Sequence, residues 1–292
     1  MANLYMRFPG GKPKAFTMSY DDGMVSDVQL METMNRYGLK GTFNINSGLF
    51  VKDISSLPEG TLLRHMTREE TLAAYTNSGH EIAVHGVEHP FLEQLPIQRA
   101  VYEILEDRKR LEEMFHCIIR GMAYPFGTLS EQVTDCLKCA GISYSRTVVS
   151  TENFDLPTDW LRLPATCHHN NSRLMELARK FINMKIKGAP QMFYLWGHSY
   201  EFVSDGNWNV IEEFAELIGK RDDIWYATNI EIFDYVSAYR QLLFDVNMTL
   251  VSNPTATDLY FTYDTLDQNG FPKAHDCCVR SGETLRLLKT CF

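Results

Sequence analysis

The sequence lacks several features that would direct a function. No apolar run reaches the ~18 residues that a membrane helix needs, and no block of five like charges could form a charged tail. The chain carries 28 basic and 37 acidic residues, a formal net charge of −9. Because nucleic-acid binding depends on clustered lysine and arginine, we expect neither a nucleic-acid partner nor a membrane partner. The first seven residues lack the apolar core of a signal peptide, so we expect a cytoplasmic protein.

Cysteines are few and scattered, and no internal repeat is visible. An odd number of unevenly spaced cysteines favours a reduced protein over a disulfide framework. The seven are Cys117, Cys136, Cys139, Cys167, Cys277, Cys278 and Cys291.

Short apolar runs alternate with helical patterns over residues 15–243. Strands that alternate with helices of ten or more residues predict parallel pairing through crossover units. Seven or eight such units favour an α/β barrel of about seven parallel strands over an open sheet. Residues 1–244 are therefore predicted to form the barrel. Residues 245–292 are predicted to form a small β-rich extension, with an irregular covering tail as the alternative.

Two acidic residues follow the first strong strand pattern, in the segment Ser19-Tyr20-Asp21-Asp22-Gly23. Adjacent carboxylates repel each other unless a cation is bound nearby, although the same sequence is also typical of a surface turn. His85 and His89 follow a later strand at a spacing that allows both to bind one metal ion. A carboxylate with two histidines suits a divalent transition metal.

Two further segments stand at strand ends. Arg120 begins a strand that leads into the turn Tyr124-Pro125-Phe126-Gly127, and could pair with a buried carboxylate. His198 ends the apolar run Met192 to Trp196. Histidine has an ordinary pKa of about 6.5, so His198 is a candidate general acid. The alternatives are a surface arginine and a structural histidine.

These four segments, in this order, resemble the motifs of the polysaccharide deacetylase family, also called the NodB-homology or carbohydrate esterase 4 family. The resemblance covers roughly residues 13–240. The first motif of the family is usually Thr-Phe-Asp-Asp-Gly, and the second is His-[Ser/Thr]-x-x-His, where this chain has Gly86. The third motif matches with a stretched spacing, and the fifth matches Leu-x-His. The pair Asp159-Trp160 is a candidate for the fourth motif.

The resemblance implies a distorted barrel and a role for each residue. Asp21 would be the general base, Arg120 would pair with it and set its pKa, and His198 would be the general acid. The metal ligands would be Asp22, His85 and His89. If a carboxylate such as Asp155 or Asp159 touches the His198 ring, the pKa of His198 is raised. A backbone N–H near Tyr124 is expected to hold the oxyanion.

Six side chains are expected to contact the substrate: Tyr124, Phe126, Trp160, His168, His169 and Trp196. His168 and His169 end a strand outside the motif set, and a purely structural role is the alternative for them.

The sequence thus predicts a metal-dependent hydrolase that removes an acetyl group from an N-acetylated amino sugar or oligosaccharide. Zinc suits the ligand set, and cobalt, nickel, manganese or iron would also fit it. One alternative is an amide hydrolase of the same fold that opens ureides or cyclic imides. Another is a silent sugar-binding protein, which the complete set of motif residues argues against. The sequence leaves the oligomeric state open.

Overall fold

The computed structural model describes residues 3–55, 57–58 and 60–288. The strands are β1 Leu4–Arg7, β2 Lys14–Asp21, β3 Thr42–Ile45, β4 Glu81–Val84, β5 Gly121–Ala123, β6 Tyr144–Ser150, β7 Leu163–Ala165, β8 Cys167–His168, β9 Gln191–Gly197, β10 Ile224–Tyr226, β11 Leu243–Phe244, β12 Leu250–Ser252, β13 Leu259–Leu266, β14 Pro272–Val279 and β15 Thr284–Arg286. The α-helices are α1 Asp27–Tyr37, α2 Arg68–Tyr75, α3 Ile97–Phe115, α4 Glu131–Cys139, α5 Leu174–Asn183, α6 Ser199–Ser204, α7 Trp208–Ile218 and α8 Asn229–Tyr239.

The central strands form a ring of parallel pairs. Its order is β6-β5-β4-β3-β2-β9, and the remaining gap is filled by one segment that serves two neighbours. In that segment β7 pairs with β6, and β8 pairs with β9. The ring therefore has seven positions, which confirms the predicted distorted barrel. The distortion lies at Thr166, where the closing segment changes partner and donates its backbone N–H to Tyr194 O at 2.8 Å.

The strands are buried inside the ring of helices. All eight residues of β2 are buried, which is typical of a central parallel strand. Helix α5 buries Leu174, Leu177, Ala178 and Phe181, spaced as one face of a helix. Helix α2 begins with a capping box, in which the Thr67 and Glu70 side chains each bond the other's backbone N–H.

The C-terminal region is β-rich, as predicted. Strands β11, β12 and β15 form one small antiparallel sheet, and β1, β13 and β14 form another. The division of the chain at residue 244 stays a prediction, and the structure adds that β1 belongs to this second sheet rather than to the barrel. The suggested eighth strand, β10, pairs with β2 outside the ring.

The sequence predicted reduced cysteines and contained no apolar run long enough for a membrane helix. The six described cysteines are free thiols, and Cys291 lies outside the described residues. Among the helices of the described part of the chain, none combines the length and the apolar character that crossing a bilayer requires.

Candidate active site

Several of the predicted site residues gather at the end of the barrel where the parallel strands finish, here called the barrel mouth. Asp21 ends β2, His85 follows β4, and His198 follows β9. His168 ends β8 in the closing segment. Because parallel strands all finish at the same end of a barrel, residues far apart in the sequence meet there.

Asp22, His85 and His89 converge, as the sequence predicted. Their ligand atoms all lie within 4.8 Å of one another. Asp22 Oδ1 is 3.6 Å from His85 Nε2 and 3.7 Å from His89 Nε2. Two ligands held about 2.1 Å from one zinc ion at tetrahedral angles are about 3.4 Å apart. The three side chains are therefore spaced to hold one divalent cation.

The orientation of the His85 ring also fits a metal. Its Nδ1 lies 2.8 Å from Ala123 O, and since a carbonyl only accepts, Nδ1 carries the proton. The buried Nε2 then presents a lone pair toward Asp22, and it has no hydrogen-bond partner among the described residues. Asp107 accepts the His85 backbone N–H at 3.0 Å, which fixes the residue further. A carbonyl partner on the second ring nitrogen is usual for metal-binding histidines.

Asp21 is buried beside the predicted ligands and pairs with Arg146, a residue of β6. Arg146 is only 1% exposed, and its guanidinium carbon lies 4.4 Å from the centre of the Trp196 ring. Asn44 Nδ2 donates to Asp21 Oδ1 at 2.8 Å. Burial alone would raise the pKa of Asp21, but the charge of Arg146, helped by His85 and His198, lowers it to about 2. Asp21 is therefore ionised at neutral pH.

The prediction that Arg120 pairs with Asp21 is wrong. Arg120 lies at the start of β5, the end remote from the barrel mouth, and donates to Asp234 of α8 at 2.6 and 2.9 Å. In the sequence, the stretched spacing of the third motif was the indication that Arg120 departs from the family pattern. Arg146 was missed because it stands inside an ordinary strand pattern, where the sequence gives no signal for a buried arginine.

His198 faces Asp21 on one side and Glu201 on the other. Its Nε2 is 3.8 Å from Asp21 Oδ2, and its Nδ1 is 3.0 Å from Glu201 Oε1. Burial lowers the pKa of His198, but the Glu201 hydrogen bond and the charges of Asp21 and Asp22 outweigh it, so that the pKa is raised from 6.5. His198 is thus suited to hold a proton near neutral pH.

Neither Asp155 nor Asp159 is the carboxylate that touches His198. Asp159 accepts from the Leu161 backbone and pairs with Arg162, and Asp155 accepts from Gln191 at 3.3 Å. Glu201 was missed, although it stands three residues after His198 on one turn of α6, a spacing that brings side chains together.

Two more histidines surround Glu201. His168 Nδ1 accepts the Asn170 backbone N–H at 3.1 Å, so its proton is on Nε2, which lies 3.3 Å from Glu201 Oε2. His169 Nε2 is 2.8 Å from the same oxygen. Burial would raise the pKa of Glu201, but hydrogen bonding to His169 and His198 lowers it. Burial also lowers the pKa of His168, to about 4. An ionised Glu201 thus stands among neutral imidazoles and His198.

A buried hydrogen-bond network joins the two halves of the site. Asp27, at the start of α1, accepts from the Ser199 hydroxyl and from the Met24 backbone N–H. The Ser26 and Ser199 hydroxyl oxygens are 2.6 Å apart. Because Ser199 directly follows His198, this network ties the loop that begins at Asp21 to the helix that carries Glu201.

Four of the six residues expected to contact the substrate are buried. The Tyr124 hydroxyl donates to Leu161 O, its backbone N–H donates to Arg146 O at 3.0 Å, and that N–H is therefore engaged rather than free for an oxyanion. Trp160 is 8% exposed and packs against Phe233, away from the expected place. Trp196 packs under Arg146, and His169 lies between Tyr20 and Phe202.

The other two are accessible. Phe126 is 48% exposed, and its ring centre is 4.4 Å from that of His89. His168 is half-buried at the barrel mouth, next to Trp196.

Part of the chain matches the model of a known protein family. Residues 9–145 match the family model described as polysaccharide deacetylase, which confirms the resemblance seen in the motifs. No curated protein matches the sequence.

Solved structures share the fold at low sequence identity. A protein from Mycobacterium smegmatis, provisionally described as a polysaccharide deacetylase, is 17% identical with a TM-score of 0.57, covering 81% of this chain and 94% of its own. The Xyl-CE4 domain of a multidomain xylanase from the hindgut metagenome of Trinervitermes trinervoides is 14% identical with a TM-score of 0.52, covering 78% and 92%. The Streptococcus pyogenes deacetylase PplD in complex with acetate is 19% identical with a TM-score of 0.43, covering 50% of this chain and 61% of that one. The first two likenesses concern the fold.

Proposed function

Residues 9–145 belong to the polysaccharide deacetylase family, and from that premise we propose that the chain is a metal-dependent hydrolase that removes the acetyl group from an N-acetylated amino sugar or oligosaccharide. One observation carries the proposal. Asp22, His85 and His89 surround a single point at the barrel mouth, with Asp21 and His198 beside them. A base, an acid and a metal triad within one cluster are what hydrolysis of an amide requires.

Asp22, His85 and His89 would hold the metal. Zinc suits two imidazoles and a carboxylate, and cobalt, nickel, manganese or iron also accept this donor set. Such an ion, when bound, lowers the pKa of water to about 7 and polarises a carbonyl oxygen. The remaining steps are assigned to the side chains of the chain itself.

Asp21 is the proposed general base. Arg146 keeps its carboxylate ionised, so Oδ2 can accept a proton from the attacking water. Asn44 holds the other oxygen in place. Because Asp21 Oδ2 lies 3.8 Å from His198 Nε2, a small movement returns the proton from the base to the acid after each turnover.

His198 is the proposed general acid, and Glu201 is its positioning residue. The Nδ1–H of His198 donates to Glu201, which leaves the Nε2 proton facing the reacting centre. An amine is a poor leaving group until it is protonated, and Nε2 supplies that proton as the C–N bond breaks. Glu201 favours the protonated ring and fixes its orientation.

The test measures acetate release from N-acetylated monosaccharides and oligosaccharides, run beside a panel of ureides and cyclic imides. The enzyme is first stripped with a chelator and then reloaded with zinc, cobalt, nickel, manganese or iron(II). Metal-dependent acetate release supports the proposal. Ring opening of a ureide without acetate release would overturn it in favour of the second hydrolase class. Sugar binding without any turnover in any metal form would indicate a binding protein.

A further inference from the structure

Asp22 has a backbone conformation that an aspartate adopts only rarely. Its φ is 81°, in the left-handed region, where a side chain costs free energy because Cβ crowds the following carbonyl oxygen. The next residue, Gly23, also has a positive φ, of 66°. This turn brings Asp22 Oδ1 to within 3.7 Å of both His85 Nε2 and His89 Nε2. The predicted ligand set therefore depends on a strained turn that needs support from other parts of the chain.

A segment of the loop between β3 and α2 runs beside this turn. The Val25 N–H donates to Arg64 O at 3.1 Å, and the Met66 N–H donates to Gly23 O at 3.0 Å. Arg64 is itself fixed to the start of α2, because its guanidinium donates to both carboxylate oxygens of Glu70 at 2.6 Å. The segment is therefore anchored on the capped end of a helix, and the turn rests against it.

His65, in the middle of this segment, contacts the peptide of the predicted metal ligand. Its Nδ1 lies 2.8 Å from Asp22 O. Since a carbonyl oxygen only accepts, Nδ1 carries the proton and donates it. Among the described residues, no other side chain bonds the Asp22 backbone. The His65 hydrogen bond fixes the orientation of the carbonyl group of Asp22, and with it the ψ angle of the strained residue.

Loss of this hydrogen bond would allow Asp22 to relax. In the metal-free protein, relaxation releases the strain of the positive φ, so the loss of the hydrogen bond is partly offset. Metal binding requires the strained conformation again, so the cost appears in metal affinity rather than in the free energy of unfolding. A histidine with a purely structural role would show the reverse, a lower stability with an unchanged metal affinity.

We propose that His65 is a positioning residue for the metal site, which holds the Asp22 carboxylate against the two histidine ligands by fixing the Asp22 peptide. This inference rests on the metal triad of the proposed function and adds a residue from outside the motifs that identify the family. It also makes the loop between β3 and α2 a part of the metal site, because loop and site share this hydrogen bond.

The test compares His65→Leu with His65→Asn, which introduce side chains of nearly the same shape. The Asn amide places a donor close to the position of the imidazole Nδ1, whereas Leu offers none. Competition with a chelating dye gives the zinc Kd of each variant. His65→Leu should weaken zinc binding about 10-fold, the lower end of what loss of a partner outside the ligand set costs, and His65→Asn should recover most of this loss. Leu63→Asn is the control, because Leu63 belongs to the same loop and is 54% exposed.

Two measurements on the metal-free variants separate positioning from structural support. Urea unfolding should give midpoints close to that of the unmodified chain. Crystal structures should show Asp22 Oδ1 farther than 3.6 Å from His85 Nε2 in His65→Leu but not in His65→Asn. An unchanged zinc Kd in His65→Leu would overturn the inference, whether or not the unfolding midpoint falls.

The same variants distinguish this inference from the proposed function. If His65→Leu weakens zinc binding and His65→Asn restores it, but no metal form releases acetate from an N-acetylated sugar, the proposed function fails and the role of His65 stands. If acetate release depends on zinc but the zinc Kd is the same in all variants, the role of His65 fails alone. If the unmodified chain binds no divalent metal, both fail.

Discussion

Arg146 forms a buried ion pair with Asp21 inside the barrel, with 1% and 3% of the two side chains exposed. A second arginine–aspartate pair, Arg120 with Asp234, lies at the opposite end with 35% and 50% exposed. The chain thus contains two arginine–aspartate pairs, one buried and one exposed. Comparing variants of the two pairs measures how burial changes the contribution of such a pair to the free energy of unfolding.

Replacing Arg146 should destabilise the protein strongly. Arg146→Ala leaves the Asp21 carboxylate buried without its partner, which typically costs 3–5 kcal/mol, whereas Arg120→Ala breaks an exposed pair worth about 0–1 kcal/mol. Urea unfolding at pH 7 measures both. Because the pKa of Asp21 is lowered to about 2, the contribution of the pair is complete above about pH 4 and is lost as the pH falls toward 2. Equal losses in the two variants would contradict the assignment.

Metal binding should depend on Asp22, His85 and His89 but not on the proposed acid. Alanine in place of His85 or His89, or asparagine in place of Asp22, should lower metal affinity by more than the ~10–100-fold that loss of an outer partner costs. His198→Ala should retain the metal. Plasma mass spectrometry after dialysis gives the metal content of each variant. Full occupancy in His85→Ala would refute the triad.

The proposed acid should matter for amides more than for activated esters. His198→Ala should slow acetate release from an N-acetyl sugar by ~10²–10⁴, because the amine then leaves without a proton. An aryl acetate has a good leaving group and should lose far less. Steady-state rates on both substrates give the comparison. Equal losses on both would remove His198 from this role.

Glu201 should set the upper end of the pH profile. It helps raise the pKa of His198, and a general acid works only while protonated, so activity falls as the pH rises through that pKa. Glu201→Gln should therefore move the basic limb of kcat to lower pH. Asp159→Asn is the control, because Asp159 contacts Leu161 and Arg162 instead of His198. A basic limb that stays in place in Glu201→Gln would contradict this role.

Gly197 should be intolerant of any side chain. A Cβ there would lie 1.9 Å from His169 Nδ1, in a ring already held between Tyr20 and Phe202. Gly197→Ala should cost about 1–3 kcal/mol and lower kcat through displacement of the histidines around Glu201. Gly188→Ala, whose nearest atoms are 3.9 Å away in Tyr5, should stay within about 0.5 kcal/mol. Thermal unfolding compares them, and equal stability of the two variants would contradict the clash.

The sequence predicted what depends on periodicity and on local spacing. The alternation of strands and helices predicted the barrel, and the spacing of His85 and His89 predicted that both imidazoles could reach one point. Within the β-rich extension the sequence did not single out β14, which begins at Pro272 and buries only Val279 of its eight residues. Trp160 was misjudged, since an aromatic residue in a motif-like pair gives no sign of whether it faces the core or the solvent.

The partners of charged groups could not be predicted in the same way. Arg120 stands at the remote end of β5, whereas Arg146 lies within the next strand, β6, opposite Ala123. The place of each arginine along its strand decides which one reaches Asp21. Glu201 meets His198 within one helical turn, a relationship that the spacing did contain. Its contacts with His168 and His169 depend on how the closing segment crosses from β6 to β9, which is a tertiary feature.

That closing segment has a thermodynamic consequence. Residues 163–168 complete the ring with few hydrogen bonds, because each half pairs with one neighbour only. The same segment ends at His168, whose Nε2 faces Glu201. Local opening of the barrel would therefore separate His168 from Glu201, and a ligand that binds only the assembled mouth must suppress that opening. Slower amide hydrogen exchange across residues 163–168 would therefore indicate an occupied site. The signal would come from the side of the ring that lies across from β4.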